Sequence, residues 1–144
     1  LLSLVLVCAL VAALAPAPAA AAARGDRMID TVNMLRAQNG LKPLRRSRRL
    51  TRSSTARAAL MMRADFFAHP ARLRVPTFGR VGEVLELHAG HRPRVVRTLR
   101  SWGASPGHQR ILSSPTFRWI GAGRAAGRYR GRRATIWVVR LGRR

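Results

Sequence analysis

The segment Ser105-Pro106-Gly107-His108-Gln109-Arg110-Ile111-Leu112 reads as the start of a short helix with an imidazole in its first turn. Ser105 is of the type that caps helix N-termini, and Pro106 suits the first helical position, where its missing N–H costs nothing. His108 is then the third helical residue, close to the positive end of the helix dipole. That end disfavours an imidazolium, so His108 is expected to be neutral at about pH 7. A neutral imidazole is what a metal ligand or a general base requires.

Working outward, Pro93 is placed to open a helix running to Trp102, with Val95, Val96, Leu99 and Trp102 along one side. Two further settings carry chemistry. One is Phe66-Phe67-Ala68-His69, at the end of a predicted helix. The other is Gly82-Glu83-Val84-Leu85. Acidic residues number only 5, and Glu83 and Glu86 are the only glutamates. A carboxylate kept beside a glycine in so basic a chain is a candidate for a specific role.

The 144 residues suffice for one domain with a modest core. With 47% apolar residues the chain is not a disordered polycation. Its charge is +23, from 28 basic and 5 acidic residues, and Lys42 is the only lysine. Two readings of that charge stand side by side. One is a surface that meets polyanions: nucleic acid, anionic lipid headgroups or acidic cell-wall polymers. The other is GC-rich coding, which favours arginine and alanine without any ligand.

Residues 1–23 carry no charge. The apolar run Leu1–Leu14 is followed by Ala15-Pro16-Ala17-Pro18-Ala19-Ala20, the pattern of a secretory signal peptide with a small-residue cleavage zone. The alternative is an uncleaved N-terminal anchor, which Pro16 and Pro18 argue against. No basic stretch precedes the apolar run, so the true start is expected upstream. Cys8 is read as apolar filler that leaves with the leader. A cysteine-free domain over 24–144 is then exported and holds without disulfides.

Within that domain, Asp26–Asn39 is predicted as a first helix. Met28, Val32 and Leu35 recur on one face with Ile29 beside them, Asp26 is the N-cap, and Asn39-Gly40 the stop. Leu41–Leu44 is an extended link. Ser47 caps a second helix over Arg48–Ala64, with Leu50, Ala58, Met61 and Met62 inward. Residues Ala71–Arg92 are predicted as a loop broken by Gly79, Gly82 and Gly90, so His88 and His91 are read as loop residues. Phe117–Gly123 and Ala134–Leu141 are β-type runs forming an antiparallel hairpin, with a turn over Gly127–Gly131 and a cationic tip over Arg128–Arg133. Trp102 and Trp137 are expected in the core; Trp119 is open to either side.

In order, these pieces resemble a CAP domain (cysteine-rich secretory proteins, antigen 5, pathogenesis-related proteins) of the compact, cysteine-free bacterial kind. The matching segments are Leu35-Arg36-Ala37-Gln38-Asn39-Gly40-Leu41-Lys42-Pro43-Leu44, Phe66-Phe67-Ala68-His69, Gly82-Glu83, Trp102 with Ser105–Leu112, Ile120-Gly121-Ala122-Gly123, and Trp137-Val138-Val139. The resemblance covers Met28 to Gly142. It implies an α+β fold, a three-layer α-β-α sandwich with a small antiparallel sheet between helices, and a cleft lined by histidines and glutamates. Two departures stand out. Val84 replaces the asparagine that usually follows Gly-Glu, and the helix holding Trp102 offers Arg97 and Arg100 where many relatives carry a second glutamate. The cleft set reduces to His69, Glu83 and His108.

Three functions follow as expectations. The first is a secreted, monomeric binding module of the cell envelope or extracellular space, with its cleft at His69, Glu83 and His108. The second is a metal-assisted hydrolase in which those residues hold a divalent ion such as zinc. The third is a cationic binder of anionic wall polymers, lipids or a membrane surface, without any specific nucleic-acid motif. A further reading of the three residues is structural: a buried hydrogen-bond cluster tying the loop to the sheet. No nucleophile elbow, phosphate-binding glycine loop or nucleophilic cysteine is present.

Overall fold

The computed structural model describes residues 17–144. The apolar run Leu1–Leu14, and the leader reading that rests on it, lie outside the described residues. The elements in order are α1 (Ala17–Gln38), β1 (Arg45–Arg46), α2 (Arg48–Arg63), β2 (Arg80–Ala89), α3 (Val95–Gly103), α4 (Pro106–Leu112), β3 (Trp119–Tyr129) and β4 (Arg132–Arg143). The sheet order is β1-β3-β4-β2, with β1 parallel to β3 and the other pairs antiparallel. Helices cover both faces, which makes the α-β-α sandwich.

Helix α1 starts upstream of Asp26, because the alanines before Arg24 have the highest helix propensity and carry the helix back. Asp26 is therefore not an N-cap. It and Asp30 each bind a different nitrogen of Arg46 at 2.5 Å. Met28, Ile29 and Val32 are buried as expected, but the next inward residue is Arg36, only 2% exposed. Its guanidinium donates to the carbonyls of Lys42 (3.1 Å), Leu112 (2.6 Å) and Ser114 (3.1 Å). Three carbonyls thus stand in for a carboxylate, and the bonds tie α1 to the end of α4. Burial, then the charge of Arg118, lowers the pKa of Arg36. Gly40 takes the left-handed conformation (φ +69°) that ends the helix.

Ser47 caps α2 as predicted, its hydroxyl accepting from the Leu50 N–H (3.3 Å). Helix α3 begins at Val95 and not at Pro93, since Arg94 is left-handed (φ 43°). The hairpin continues beyond the predicted runs to Tyr129 and Arg132, and turns on Arg130-Gly131, both with positive φ (48° and 77°). That two-residue turn matches the twist of the paired strands.

The largest difference is β2. The stretch predicted as a loop is a ten-residue edge strand paired with β4 from Arg80↔Arg143 to Ala89↔Ala134. Both its faces are covered and each carries a glutamate, so no simple alternation is visible. Gly79 and Gly90 flank the strand as breakers do, but Gly82 lies within it. A Cβ there would sit 2.9 Å from both Ile111 Cγ2 and Phe117 Cζ, so the glycine lets α4 and the following loop close onto the strand. His88 is accordingly a buried strand residue, 8% exposed, and only His91 belongs to a loop.

One sheet face packs Val84, Ile120, Trp137, Val139 and Leu141 with Met28, Leu99 and Trp102 of the α1/α3 layer. The other packs Leu85, Ile136 and Val138 against Ala58, Met61 and Met62 of α2. The two core indoles are satisfied: Trp102 donates to the Leu85 carbonyl (2.9 Å) and Trp137 to that of Pro93 (2.8 Å). Helix α2 rests on Gly121 and Gly123. A Cβ at Gly121 would lie 2.6 Å from Leu50 Cβ, and one at Gly123 would lie 2.5 Å from Thr55 Cα. Among the described residues no helix is long and apolar enough to cross a membrane.

Gly123→Ala is expected to cost about 3 kcal/mol, because the obstruction is helix backbone and cannot rotate away. Gly103→Ala, where nothing lies within 4 Å, is expected to be neutral or stabilising by up to about 1 kcal/mol. Urea denaturation of both variants checks the contrast.

Candidate functional site

Glu83 lies on the α2 face of β2, opposite Arg140 of β4 in the strand register. The Glu83 side chain is 1% exposed and that of Arg140 is 7%. Arg140 Nε donates to Glu83 Oε2 at 2.8 Å, and Nη2 forms an ion pair with the same oxygen at 2.8 Å. A third guanidinium nitrogen, Nη1, donates to the Ser53 hydroxyl on α2. The other carboxylate oxygen, Oε1, lies 2.9 Å from His69 Nδ1. An ionised carboxylate only accepts, so Nδ1 carries the proton of this bond. The His69 side chain is 57% exposed. The arrangement is therefore a His–Glu–Arg chain running from solvent to core.

His108 is brought to the same edge of the sheet but does not join that chain. Its ring is half-buried against Trp102, with centroids 6.4 Å apart, and its buried Nδ1 has no partner. Its pKa is lowered from the ordinary 6.5, first by burial and then by the charge of His69, with Glu86 opposing. The neutral imidazole predicted from the sequence is thus obtained, with burial as the leading cause. Glu86, on the opposite face of β2 from Glu83, accepts from the Ser101 hydroxyl (3.2 Å).

The three predicted residues therefore divide. His69 and Glu83 are in direct contact; His108 is a neighbour facing Glu86. Sequence reasoning missed Arg140 and Ser53. Arg140 had a signal, being the only charge in the apolar run Thr135–Leu141; Ser53 had none. A divalent ion at His69, Glu83 and His108 does not fit this geometry. Both Glu83 oxygens are engaged, one by a guanidinium that would repel a cation. Among the described residues no three His, Cys, Asp or Glu side chains are grouped to hold an ion. Three hollows of about 770, 490 and 920 Å³ lie elsewhere, and none is lined by His69, Glu83 or His108.

Comparison with known proteins agrees with this architecture. The sequence model described as "CAP: Cysteine-rich secretory protein family" matches residues 29–141. The uncharacterized protein YkwD of Bacillus subtilis (strain 168) is 25% identical over 118 residues, which is 74% of this chain and 44% of that protein. The chain thus spans less than half the length of this curated relative. An outer surface protein from Borrelia burgdorferi superposes with a TM-score of 0.70 at 20% identity, over 83% of this chain and 91% of that one. An extracellular protein with an SCP domain from Bacillus anthracis superposes with 0.65 at 18% identity, over 85% and 41%. At these identities the superpositions establish a common fold.

Two outcomes test the site. Glu83→Gln leaves Arg140 buried without its counter-charge and is expected to cost about 3–5 kcal/mol; His69→Ala, at the exposed end, is expected to cost under about 1 kcal/mol. Urea midpoints decide. For His108 the folded pKa is depressed. Its neutral form therefore contributes stability that is full above 6.5 and is lost as pH falls through the folded value, where the unfolded chain binds the extra proton. His108→Gln should flatten the stability–pH curve below 6.5, as read by denaturation at stepped pH.

Proposed function

We propose that this chain, which belongs to the cysteine-rich secretory protein (CAP) family, is an exported binding module that recognises a polyanion without performing chemistry on it. One observation carries the non-catalytic part: Glu83, the obvious base, is locked between Arg140 and His69. It is then a strut, and the His69–Glu83–Arg140 chain fastens the loop after α2 to the sheet. The polyanion part rests on charge. Each of the five carboxylates is engaged: Asp26 and Asp30 by Arg46, Asp65 by the Arg130 N–H, Glu83 by Arg140, and Glu86 by Ser101. With 28 basic residues, most guanidiniums have no acidic partner and present their N–H groups to whatever anion arrives. Work outside the cytoplasm is supported by the similar folds of proteins named as outer-surface and extracellular, and by the leader-like residues 1–23.

A second reading, hydrolysis through the histidines, is favoured by the unpartnered Nδ1 of His108 and the solvent-exposed ring of His69. Retention on phosphocellulose, against neutral cellulose, separates the two. Binding should fall steeply with salt and survive His108→Ala. Salt-insensitive binding, or none, would remove the polyanion proposal. Turnover of ester or peptide substrates that disappears in His108→Ala would replace it with the hydrolase reading.

A further inference from the structure

At the end of the sheet opposite the hairpin tip, Arg118, Arg143 and Arg144 surround a hollow of about 490 Å³ together with Thr116 and Trp119. Arg144 lies over the Trp119 ring at 4.5 Å, and Arg45 over the same ring at 5.8 Å. Such stacking holds a guanidinium by its face and leaves its N–H edge free to bond. Among the described residues the side chains of Arg143 and Arg144 make no hydrogen bond or ion pair, and all five carboxylates are engaged elsewhere, as set out above. The hollow is concave and cationic, and no side-chain carboxylate lines it.

We propose that this hollow is a phosphate-binding site, and that its ligand is a soluble, linear phosphodiester polymer with a small repeating unit, of the poly(glycerol phosphate) type. The proposal rests on the polyanion reading and assigns it a place. Arg143 and Arg144, with their guanidiniums unengaged, and Arg118 beside them, whose Nη1 donates to the Pro115 and Phe117 carbonyls while Nε and Nη2 make no such bond among the described residues, supply the charge-assisted bonds that phosphate oxygens accept best. A nucleic acid is disfavoured, because the Trp119 ring is already engaged by two guanidiniums and is not free as a platform for bases. A bilayer surface is disfavoured too. Among the described residues the exposed large apolar ones are Met34, Leu60, Phe67 and Val96, and none of these lines the hollow to enter a membrane. The hairpin tip is a weaker candidate despite its arginines: it is a convex turn, Asp65 accepts the Arg130 N–H there (2.7 Å), and Arg128 donates to the Gly131 carbonyl (2.9 Å).

The test is calorimetric titration with poly(glycerol phosphate) of defined length. It compares the wild type, the triple variant Arg118→Gln/Arg143→Gln/Arg144→Gln, and a charge-matched triple variant at the tip, Arg128→Gln/Arg130→Gln/Arg132→Gln. The hollow variant is expected to bind at least about tenfold more weakly than the tip variant. Its salt dependence should also be shallower, by roughly one in slope for each phosphate it no longer holds. Because a variant can misfold, amide shift mapping on the wild type is run in parallel. Perturbations should centre on Arg118, Trp119 and Arg143. Equal weakening in both variants, or shifts scattered over the surface, would overturn the hollow while leaving the polyanion reading intact. No binding by the wild type would overturn both. Tighter binding to phosphatidylglycerol vesicles, or to a single-stranded oligonucleotide, would overturn the choice of ligand.

Discussion

The Glu83–Arg140 pair is the constraint from which the rest of this architecture follows. The two residues are far apart in sequence and face each other across β2 and β4 with almost no exposure. Burying two charges is expensive, and an apolar pair would often be as stable. What the pair adds is address. A slip of one residue between the strands would turn one charge to the opposite face, so the edge strand is held in a single register. The same two side chains reach outward to His69 and to Ser53, so the loop after α2 and α2 itself are fixed to that register.

A chain with so few carboxylates must find other partners for its cations. Arg36 shows one solution: it is buried whole and held by three backbone carbonyls, two of them at and just after the end of α4. Arg144 shows another, stacked on Trp119 and placed over Phe78 at 5.9 Å. Both exploit the flat, delocalised guanidinium, and neither would work as well with an ammonium group. The near-absence of lysine therefore has a physical use in this fold, whatever its origin in coding bias.

Much of the fold was legible because local signals agreed with tertiary need. Ser47 with Leu50, Gly40 after Gln38, and the aromatic and branched run Ala134–Leu141 each point one way, and the structure follows. The misses have specific causes. β2 was hidden because Gly82 reads locally as a breaker, while its reason is tertiary: the side chains of Ile111 and Phe117 occupy the space a Cβ would need. Arg36 was invisible as a core residue because charge is read as surface, and only distant carbonyls make its burial tolerable. At the site, the contact of His69 with Glu83 was foreseeable from motif order. The capture of Glu83 by Arg140 was not, since it depends on strand register, which no local pattern near Glu83 encodes.

Gly121 and Gly123 let the first half of α2, from Leu50 to Thr55, lie on β3 backbone against backbone, while Ala58, Met61 and Met62 farther along meet the sheet through side chains. Where α2 crosses the two glycines there are no rotamers to reshuffle, so the separation of helix and strand is set by the backbones alone. On the other face α3 and α4 meet the sheet through the side chains of Trp102, Leu112 and Ile111. A change of volume there can be met by repacking, whereas one at either glycine has to displace the helix.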